Sequence, residues 1–280
     1  MLDKNPKLRT VVCKVGQIES EFRYYNLECI AGEKDKYETI QIEDKVRFKV
    51  DVSKVYWCSK LSTERNRLIA KYLKDNQVLC DIMCGIGPLA VKSAVKVKGL
   101  KVVCNDLNPE GIKFAKENIK MNKIEKRVLP FNMDGRDFVK FHVDQSNVLD
   151  KEDPEIPKEF LKFDHCYMNL PMIAVEFLDA FKGLFVKANP EVWWKDPKDS
   201  KTLMLPMIHV NGFTTESDHD SAIKYFAHRI GKAMDFPEFS PKDIECFHNI
   251  RDVSGTSHMY CVSFRLPWSV AMHDDIYDNE

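Results

Sequence analysis

Two glycines and an aspartate lie close together in the segment Asp81-Ile-Met-Cys-Gly85-Ile-Gly87-Pro-Leu-Ala. They follow the apolar run 78–80, which predicts a buried strand, and precede a predicted helix that begins near Pro88. Glycines at such a turn let the backbone approach a ligand, and the helix N-terminus offers unpaired N–H groups. The segment also satisfies the dinucleotide fingerprint, with Asp106 where a ribose-binding carboxylate belongs. The turn therefore predicts a cofactor site but does not by itself identify the cofactor.

Polar residues also follow the other predicted strands of this region. Asp134-Gly135 comes after the third strand, and Asn169-Leu-Pro171 comes after the fourth. Because ligands of open α/β sheets bind at the carboxyl ends of the strands, we expect these residues to share one site. A carboxylate at Asp81 suits the cationic amino-acid end of S-adenosylmethionine better than a pyrophosphate, which favours this cofactor. The competing interpretation is that Asp81 and Asp134 are only helix caps.

Strands and helices alternate from about residue 62 onward, which predicts a parallel, doubly wound α/β sheet. Two late strands, near 244–250 and 259–264, have no long helix between them and predict a closing antiparallel pair. Such a pair is typical of class I methyltransferase sheets, which are Rossmann-like, and not of dinucleotide-binding sheets. The earlier predicted strands are 78–80, 101–104, 128–131, 165–168 and 203–210, and the predicted helices begin near 62, 88 and 109 and cover 172–185 and 217–234.

Short β-prone runs separated by turn signals occupy about 10–55 and predict a small β-rich domain. We therefore divide the chain into a small β-rich domain over 1–57 and an α/β domain over 58–280.

The composition limits the classes of function. Lysine and arginine (42) nearly balance aspartate and glutamate (43), so any binding of nucleic acid must come from a local basic face. The apolar runs are far shorter than the ~20 residues that span a bilayer, so we expect no membrane partner. Nine scattered cysteines without a Cys-x-x-Cys pair favour reduced thiols, and we expect no metal. The first residues, MLDKNPKLRT, have neither a secretion nor a transit pattern, which predicts a cytoplasmic protein.

A series of motifs adds a family resemblance. They are, in order, KVYWCSKLSTER at 54–65, DIMCGIGP at 81–88, NDLNP at 105–109, NMDGR at 132–136, MNLP at 168–171 and AVEFLD at 174–179. From about Thr10 to Pro267 the chain resembles the archaeal and eukaryotic tRNA guanine-N1 methyltransferases. The resemblance implies a class I methyltransferase domain behind a small β-rich domain. It also implies methyl transfer from S-adenosylmethionine to N1 of the guanosine immediately 3′ of the anticodon.

The resemblance implies roles for single residues. It places the reacting base at Arg23, Tyr56, Glu64 and Asn169. It places the cofactor near Arg65, Asp106, Leu107, Asp134, Gly135 and Asn169, in addition to Asp81, Gly85 and Gly87 of the glycine turn. One departure is Lys60, where family members often have arginine, so a bidentate contact becomes a single point charge.

Guanine N1 carries a proton at neutral pH, so a base must remove it before N1 attacks a sulfonium methyl group. Glu64 is the predicted base, and Arg23 is predicted to stabilise the negative charge that develops on O6. Asn169 would bond the edge of the target base. The structural alternatives are that Glu64 is a first-turn carboxylate favoured by the helix dipole, that Arg23 is an exposed strand residue, and that Tyr56 belongs to the core.

The resemblance implies a further N-terminal domain that grips the tRNA elbow in family members, and we expect this sequence to start after it. We therefore expect weaker binding of tRNA than by a longer form. We also expect a monomer, and the resemblance allows the nucleus and the mitochondrial matrix as well as the cytoplasm. Three alternative functions remain: a tRNA aminocarboxypropyl transferase of the wybutosine pathway, an NAD-dependent oxidoreductase, and a non-catalytic RNA-binding remnant, which Glu64 and Asn169 disfavour.

Overall fold

A computed structural model describes residues 2–6, 8–16, 26–148 and 155–274. The strands of this part are β1 Thr10–Val15, β2 Asn26–Gly32, β3 Glu38–Glu43, β4 Val46–Asp51, β5 Val78–Asp81, β6 Lys101–Asn105, β7 Val128–Phe131, β8 His165–Met168, β9 Met207–Thr214, β10 Ile244–Ser254 and β11 Ser257–Arg265. The α-helices are α1 Ser62–Tyr72, α2 Pro88–Lys96, α3 Pro109–Met121, α4 Gly135–Asp144, α5 Pro190–Trp193, α6 His219–Ala233 and α7 Trp268–Ala271.

Seven strands form the central sheet in the order β10-β11-β9-β8-β5-β6-β7. Strands β9, β8, β5, β6 and β7 run parallel, whereas β11 pairs antiparallel with both β9 and β10. This confirms the predicted doubly wound sheet with its closing antiparallel pair. The strand order reverses between β5 and β8, so the carboxyl ends of these two strands open the crevice in which such sheets bind ligands.

Each face of the sheet carries its own apolar core. On one face, α4 and α6 bury side chains such as Phe138 and Phe226. On the other face, α1, α2 and α3 bury side chains such as Leu68, Leu89 and Ile112. The two layers hold the strand ends of the crevice in place from both sides.

The β3–β4 hairpin belongs to the second of these cores. Its side chains Val46, Phe48 and Val50 are fully buried there. Asn118 of α3 accepts a hydrogen bond from the Lys49 backbone N–H at 2.6 Å and donates to its carbonyl at 3.2 Å. The hairpin is therefore packed against the α/β part of the chain, while the domain boundary at residue 57 remains a prediction.

The predicted helix over 172–185 is wrong in type and in length. The segment forms a 3-10 helix over Val175–Phe181. Residues three apart lie on the same side of a 3-10 helix, and Val175, Leu178 and Phe181, which have that spacing, are fully buried. The segment thus forms a 3-10 helix whose buried side chains recur every three residues, in place of the predicted α-helix. Within the described ranges, no helix is long and apolar enough to cross a membrane.

Candidate functional site

A small depression lies at the carboxyl ends of β5 and β8, where the strand order reverses. It brings together three predicted site residues from three parts of the chain: Arg65 at the start of α1, Asp81 at the end of β5, and Asn169 after β8. Its other lining residues are Met83, Cys84, Pro88, Leu89 and Tyr167.

The glycine turn between β5 and α2 needs both of its glycines. Gly85 and Gly87 have φ angles of +56° and +80°, a region that side chains disfavour. A Cβ on Gly87 would also lie 3.2 Å from the Val91 side chain. The Gly85 N–H donates to Asp106 Oδ2 at 2.6 Å, so the turn is tied to the end of β6.

Asp81 is a buried carboxyl with an unused oxygen. It is 1% exposed, and its Oδ1 has no hydrogen-bond partner among the described residues. Burial, together with the charge of nearby Asp106, raises the pKa of Asp81 to about 8. Because an unpaired carboxylate is unfavourable in such a place, a cationic group from a ligand would fit there.

Asp134, in contrast, is a helix cap. Its Oδ1 accepts from the Arg136 backbone N–H at 2.8 Å, at the N-terminus of α4. The cap interpretation thus holds for Asp134, whereas Asp81 ends strand β5. The next residue must be glycine, because a Cβ on Gly135 would lie 2.9 Å from the Ile82 side chain.

Asp106 and Leu107 form the loop after β6. Asp106 Oδ1 accepts from the Asn108 backbone N–H at 2.9 Å, and burial raises its pKa. Leu107 is 42% exposed, and Asn132 fixes the loop by donating to the Asp106 and Leu107 carbonyls at 2.7 and 3.0 Å. The loop presents an apolar side chain beside a carboxylate, an arrangement that suits a nucleoside.

Asn105 is a structural member of this site that the sequence interpretation did not select. Its side chain donates to the carbonyls of Ile82 (3.2 Å) and Met133 (3.0 Å) and accepts from the Met133 N–H (2.9 Å). It therefore joins the loops that follow β5 and β7. Its position beside Asp106, at the end of an otherwise apolar strand, was the available signal.

Arg65 is held from behind by a buried ion pair. It is 4% exposed, and its Nε donates to Glu43 Oε2 at 3.2 Å while Nη2 bonds the other oxygen of the same carboxylate. Lys92, fully buried, lies 3.3 Å from Glu43 Oε2. The pairing joins β3, α1 and α2, so Arg65 has a fixed position at the edge of the depression.

Glu64 is 3% exposed and forms a bidentate ion pair with Arg67. Arg67 Nε donates to Oε2 at 2.6 Å, and Nη2 donates to Oε1 at 2.7 Å. His248 Nε2 lies 3.5 Å from Oε2. A carboxylate has about four lone-pair sites, so further acceptor positions remain on Glu64. The sequence interpretation missed both partners, although Arg67 lies one helical turn beyond Glu64, at a spacing that favours pairing.

The remaining predicted residues of the reacting-base site differ in what the structure establishes. Asn169 Oδ1 accepts from Asn211 Nδ2 at 2.9 Å. Tyr56 is 36% exposed, so the core interpretation of this residue is wrong. Arg23 lies outside the described residues, and its role remains a prediction.

Comparisons with known proteins agree with this architecture. The family model for the TRM5/TYW2 methyltransferase domain matches residues 39–189. The chain is 38% identical to the tRNA (guanine(37)-N(1))-methyltransferase of Candida albicans (strain WO-1), over 97% of the chain and 65% of that relative. It is also 38% identical to the protein of the same name from Xenopus tropicalis, over 96% of the chain and 50% of that relative.

A solved structure gives a similar result. The crystal structure of wild-type Trm5b from Pyrococcus abyssi superposes with a TM-score of 0.64 at 27% identity, covering 94% of this chain and 66% of that one. The chain thus spans between half and two thirds of the length of the relatives that it matches.

Proposed function

Because the chain belongs to the TRM5/TYW2 methyltransferase family, we propose that it transfers a methyl group from S-adenosylmethionine to N1 of the guanosine immediately 3′ of the anticodon of tRNA. The observation that carries this proposal is the buried carboxyl of Asp81, whose Oδ1 has no hydrogen-bond partner among the described residues and which shares a depression with Arg65 and Asn169. The curated names of the relatives that span nearly the whole chain support the choice of substrate.

The residues of the crevice fit S-adenosylmethionine. Asp81 Oδ1 would accept a hydrogen bond from the ammonium group at the amino-acid end of S-adenosylmethionine. The loop of Asp106 and Leu107 would bind the nucleoside end. When bound, this molecule supplies an electrophilic methyl group on a sulfonium sulfur, so the transfer requires no metal. Glycines at positions 85 and 87 let the backbone lie close to it.

The reacting base would meet Glu64 and Asn169. Glu64 would take the N1 proton of guanine, because a lone pair on N1 is needed for attack on the methyl group. Asn169 would bond the base edge, and the target nucleotide must leave its stack to reach the depression. Arg67 would hold the Glu64 carboxylate in orientation through its two hydrogen bonds.

The test is a methylation assay on tRNA transcripts that differ only at the base 3′ of the anticodon. We expect a methyl group on N1 of guanosine and no product with adenosine at that position. Equal product from both transcripts would refute the proposed specificity. An aminocarboxypropyl group in the product, seen as its mass on the tRNA, would assign the chain to the wybutosine pathway instead.

The same assay tests the base. The substitution Glu64→Gln should retain affinity for S-adenosylmethionine and reduce the single-turnover rate by about 10²–10⁴-fold, the usual contribution of a positioned general base. Glu176→Gln is the matched control, since Glu176 is also bidentate with an arginine, Arg229, at 2.8 Å on both oxygens and has no proposed role in the reaction. A normal single-turnover rate in the Glu64 variant would show that another group removes the proton.

A further inference from the structure

Asn211 is a polar residue where the fold favours an apolar one. It lies within β9 in the central sheet and is fully buried. Its partner on β11 is Cys261, and on the other side its amide reaches the hydroxyl of Tyr167 on β8. A buried amide is unfavourable unless hydrogen bonds compensate for its lost hydration.

The amide of Asn211 is used as a donor. Its Nδ2 donates to Asn169 Oδ1 at 2.9 Å and to the Tyr167 hydroxyl at 3.0 Å. Its own Oδ1 is buried and has no partner among the described residues. Leaving a buried acceptor unpaired is unfavourable, and an apolar side chain of the same shape would avoid that loss. The Asn211 side chain therefore carries one unpaired acceptor, while its amide N–H groups are engaged by Asn169 and Tyr167.

The hydrogen bond that Asn211 donates to Asn169 sets which end of the Asn169 amide faces the site. Asn169 Oδ1 is occupied by Asn211, and Asn169 lines the depression beside Asp81. Because Oδ1 is turned toward Asn211, the Nδ2 end of the Asn169 amide lies on the opposite side from this contact. Asn169 therefore presents a hydrogen-bond donor to the depression and not an acceptor.

We propose that Asn211 is a positioning residue that locks the Asn169 amide in this donor orientation and thereby favours guanine over adenine. The proposal rests on the proposed function. Guanine carries the acceptor O6 beside N1, and O6 gains negative charge as N1 loses its proton, whereas adenine carries an amino donor at the same place. A fixed donor on Asn169 would form a hydrogen bond with O6 of guanine. With adenine, the same donor would face the amino group, which is also a donor.

The test compares single-turnover methylation of guanosine-containing tRNA at saturating S-adenosylmethionine. Asn211→Leu removes both donated bonds, so Asn169 can rotate, and we expect a rate at least about tenfold lower with unchanged cofactor affinity. Asn211→Asp keeps the shape but replaces the amide donor by an acceptor. It should draw Asn169 Nδ2 inward and slow the reaction at least as much, with partial recovery at lower pH, where a protonated carboxyl regains one donor.

A double-mutant cycle separates positioning from simple structural support. Since Asn211 acts through Asn169, the variant with both Asn169→Ala and Asn211→Leu should be no slower than Asn169→Ala alone. Ser263→Ala is the matched control, because Ser263 is fully buried on β11 and bonds His209 Nδ1 at 2.8 Å without contacting Asn169. We expect this control to methylate at the wild-type rate.

Each outcome of the cycle has one meaning. Wild-type rates in both Asn211 variants, or additive losses in the double variant, would overturn the inference while leaving the proposed function intact. No methylation of any transcript by the wild-type chain would refute the proposed function and the inference with it. If Asn211→Leu does not fold, the isosteric Asn211→Asp provides the comparison.

Discussion

Asp81 has no partner for its Oδ1 among the described residues, whereas both carboxylate oxygens of Glu64 accept hydrogen bonds from Arg67. The two buried carboxyl groups are therefore suited to different tasks. Glu64 is held rigidly, with lone pairs remaining for a proton donor. Asp81 is held protonated near neutral pH by its surroundings, so a cationic ligand can convert it to the carboxylate.

The raised pKa of Asp81 predicts that this carboxyl releases a proton when a ligand with an ammonium group binds. S-Adenosylhomocysteine has the same amino-acid end, and its binding at pH about 7 should release close to one proton, because Asp81, with a pKa of about 8, must ionise to pair with the ammonium group. Below that pKa each pH unit changes the ionised fraction about tenfold, so affinity should rise toward pH about 8. It should fall above this value as the free amine loses its proton.

Isothermal titration calorimetry in two buffers of different ionisation enthalpy measures the released proton. Asp81→Asn should bind the ligand more weakly, release no proton and lose the rise in affinity below pH about 8. Proton release that persists in Asp81→Asn would show that another group meets the ammonium.

The residues of the site were predictable only in part. Asp81 and Asn169 come directly after the predicted strands 78–80 and 165–168. The alternation of strands and helices therefore predicted that both residues lie at one edge of the sheet. The contacts of Glu64 with His248 and of Asn169 with Asn211 join residues that are distant in the sequence, and no local pattern encodes them. For Asn211 the available signal was a polar residue within an otherwise apolar strand.

At the scale of elements, two asparagines one helical turn apart join the β3–β4 hairpin to α3. Asn118 lies in the helix, and Asn122 directly follows its last residue. Asn118 is fully buried and bonds both the N–H and the carbonyl of Lys49, and it also donates to the Ile86 carbonyl at 3.1 Å. Asn122 makes the equivalent pair of bonds to Arg47, at 3.1 and 2.7 Å, beside solvent.

The two asparagines should contribute unequally to stability. Asn118→Leu leaves buried backbone groups unpaired and should lower the free energy of unfolding by about 1–3 kcal/mol. Asn122→Ala should have a smaller effect, because water can replace the amide. Urea denaturation of the two variants measures the difference, and equal losses would contradict the importance of burial.

Most helices and strands were predictable because their apolar residues recur at the regular spacing of a helix or a strand. Strands β7 and β8 have the predicted bounds, and α3 begins at 109 as predicted, after Asn108, which accepts from the Glu110 N–H at 3.0 Å. The segment 172–185 was not predictable, since its apolar residues also fit an α-helix. In the structure the segment packs against α4, α6 and β9, contacts that join parts of the chain distant in the sequence.

At the scale of the whole molecule, the start of α1 and the ends of β5 and β8 line one depression, and hydrogen bonds of Asp106 and Asn105 join the loops after β6 and β7 to it. A ligand bound there should therefore stabilise the entire sheet. S-Adenosylmethionine at about 100 times its Kd should raise the free energy of unfolding by about 2.7 kcal/mol. NAD at the same concentration should have no effect. Thermal unfolding with each ligand measures this, and stabilisation by NAD alone would favour the oxidoreductase alternative.

The docking of the β3–β4 hairpin also affects the timing of synthesis. Lys49 and its partner Asn118 are 69 residues apart in the chain. At about 5–20 residues per second, the ribosome adds Asn118 roughly 3–14 s after Lys49. During this interval the side chains of Val46, Phe48 and Val50 have no α3 to pack against. The ribosome thus completes the hairpin several seconds before it makes the helix that covers the apolar face of the hairpin.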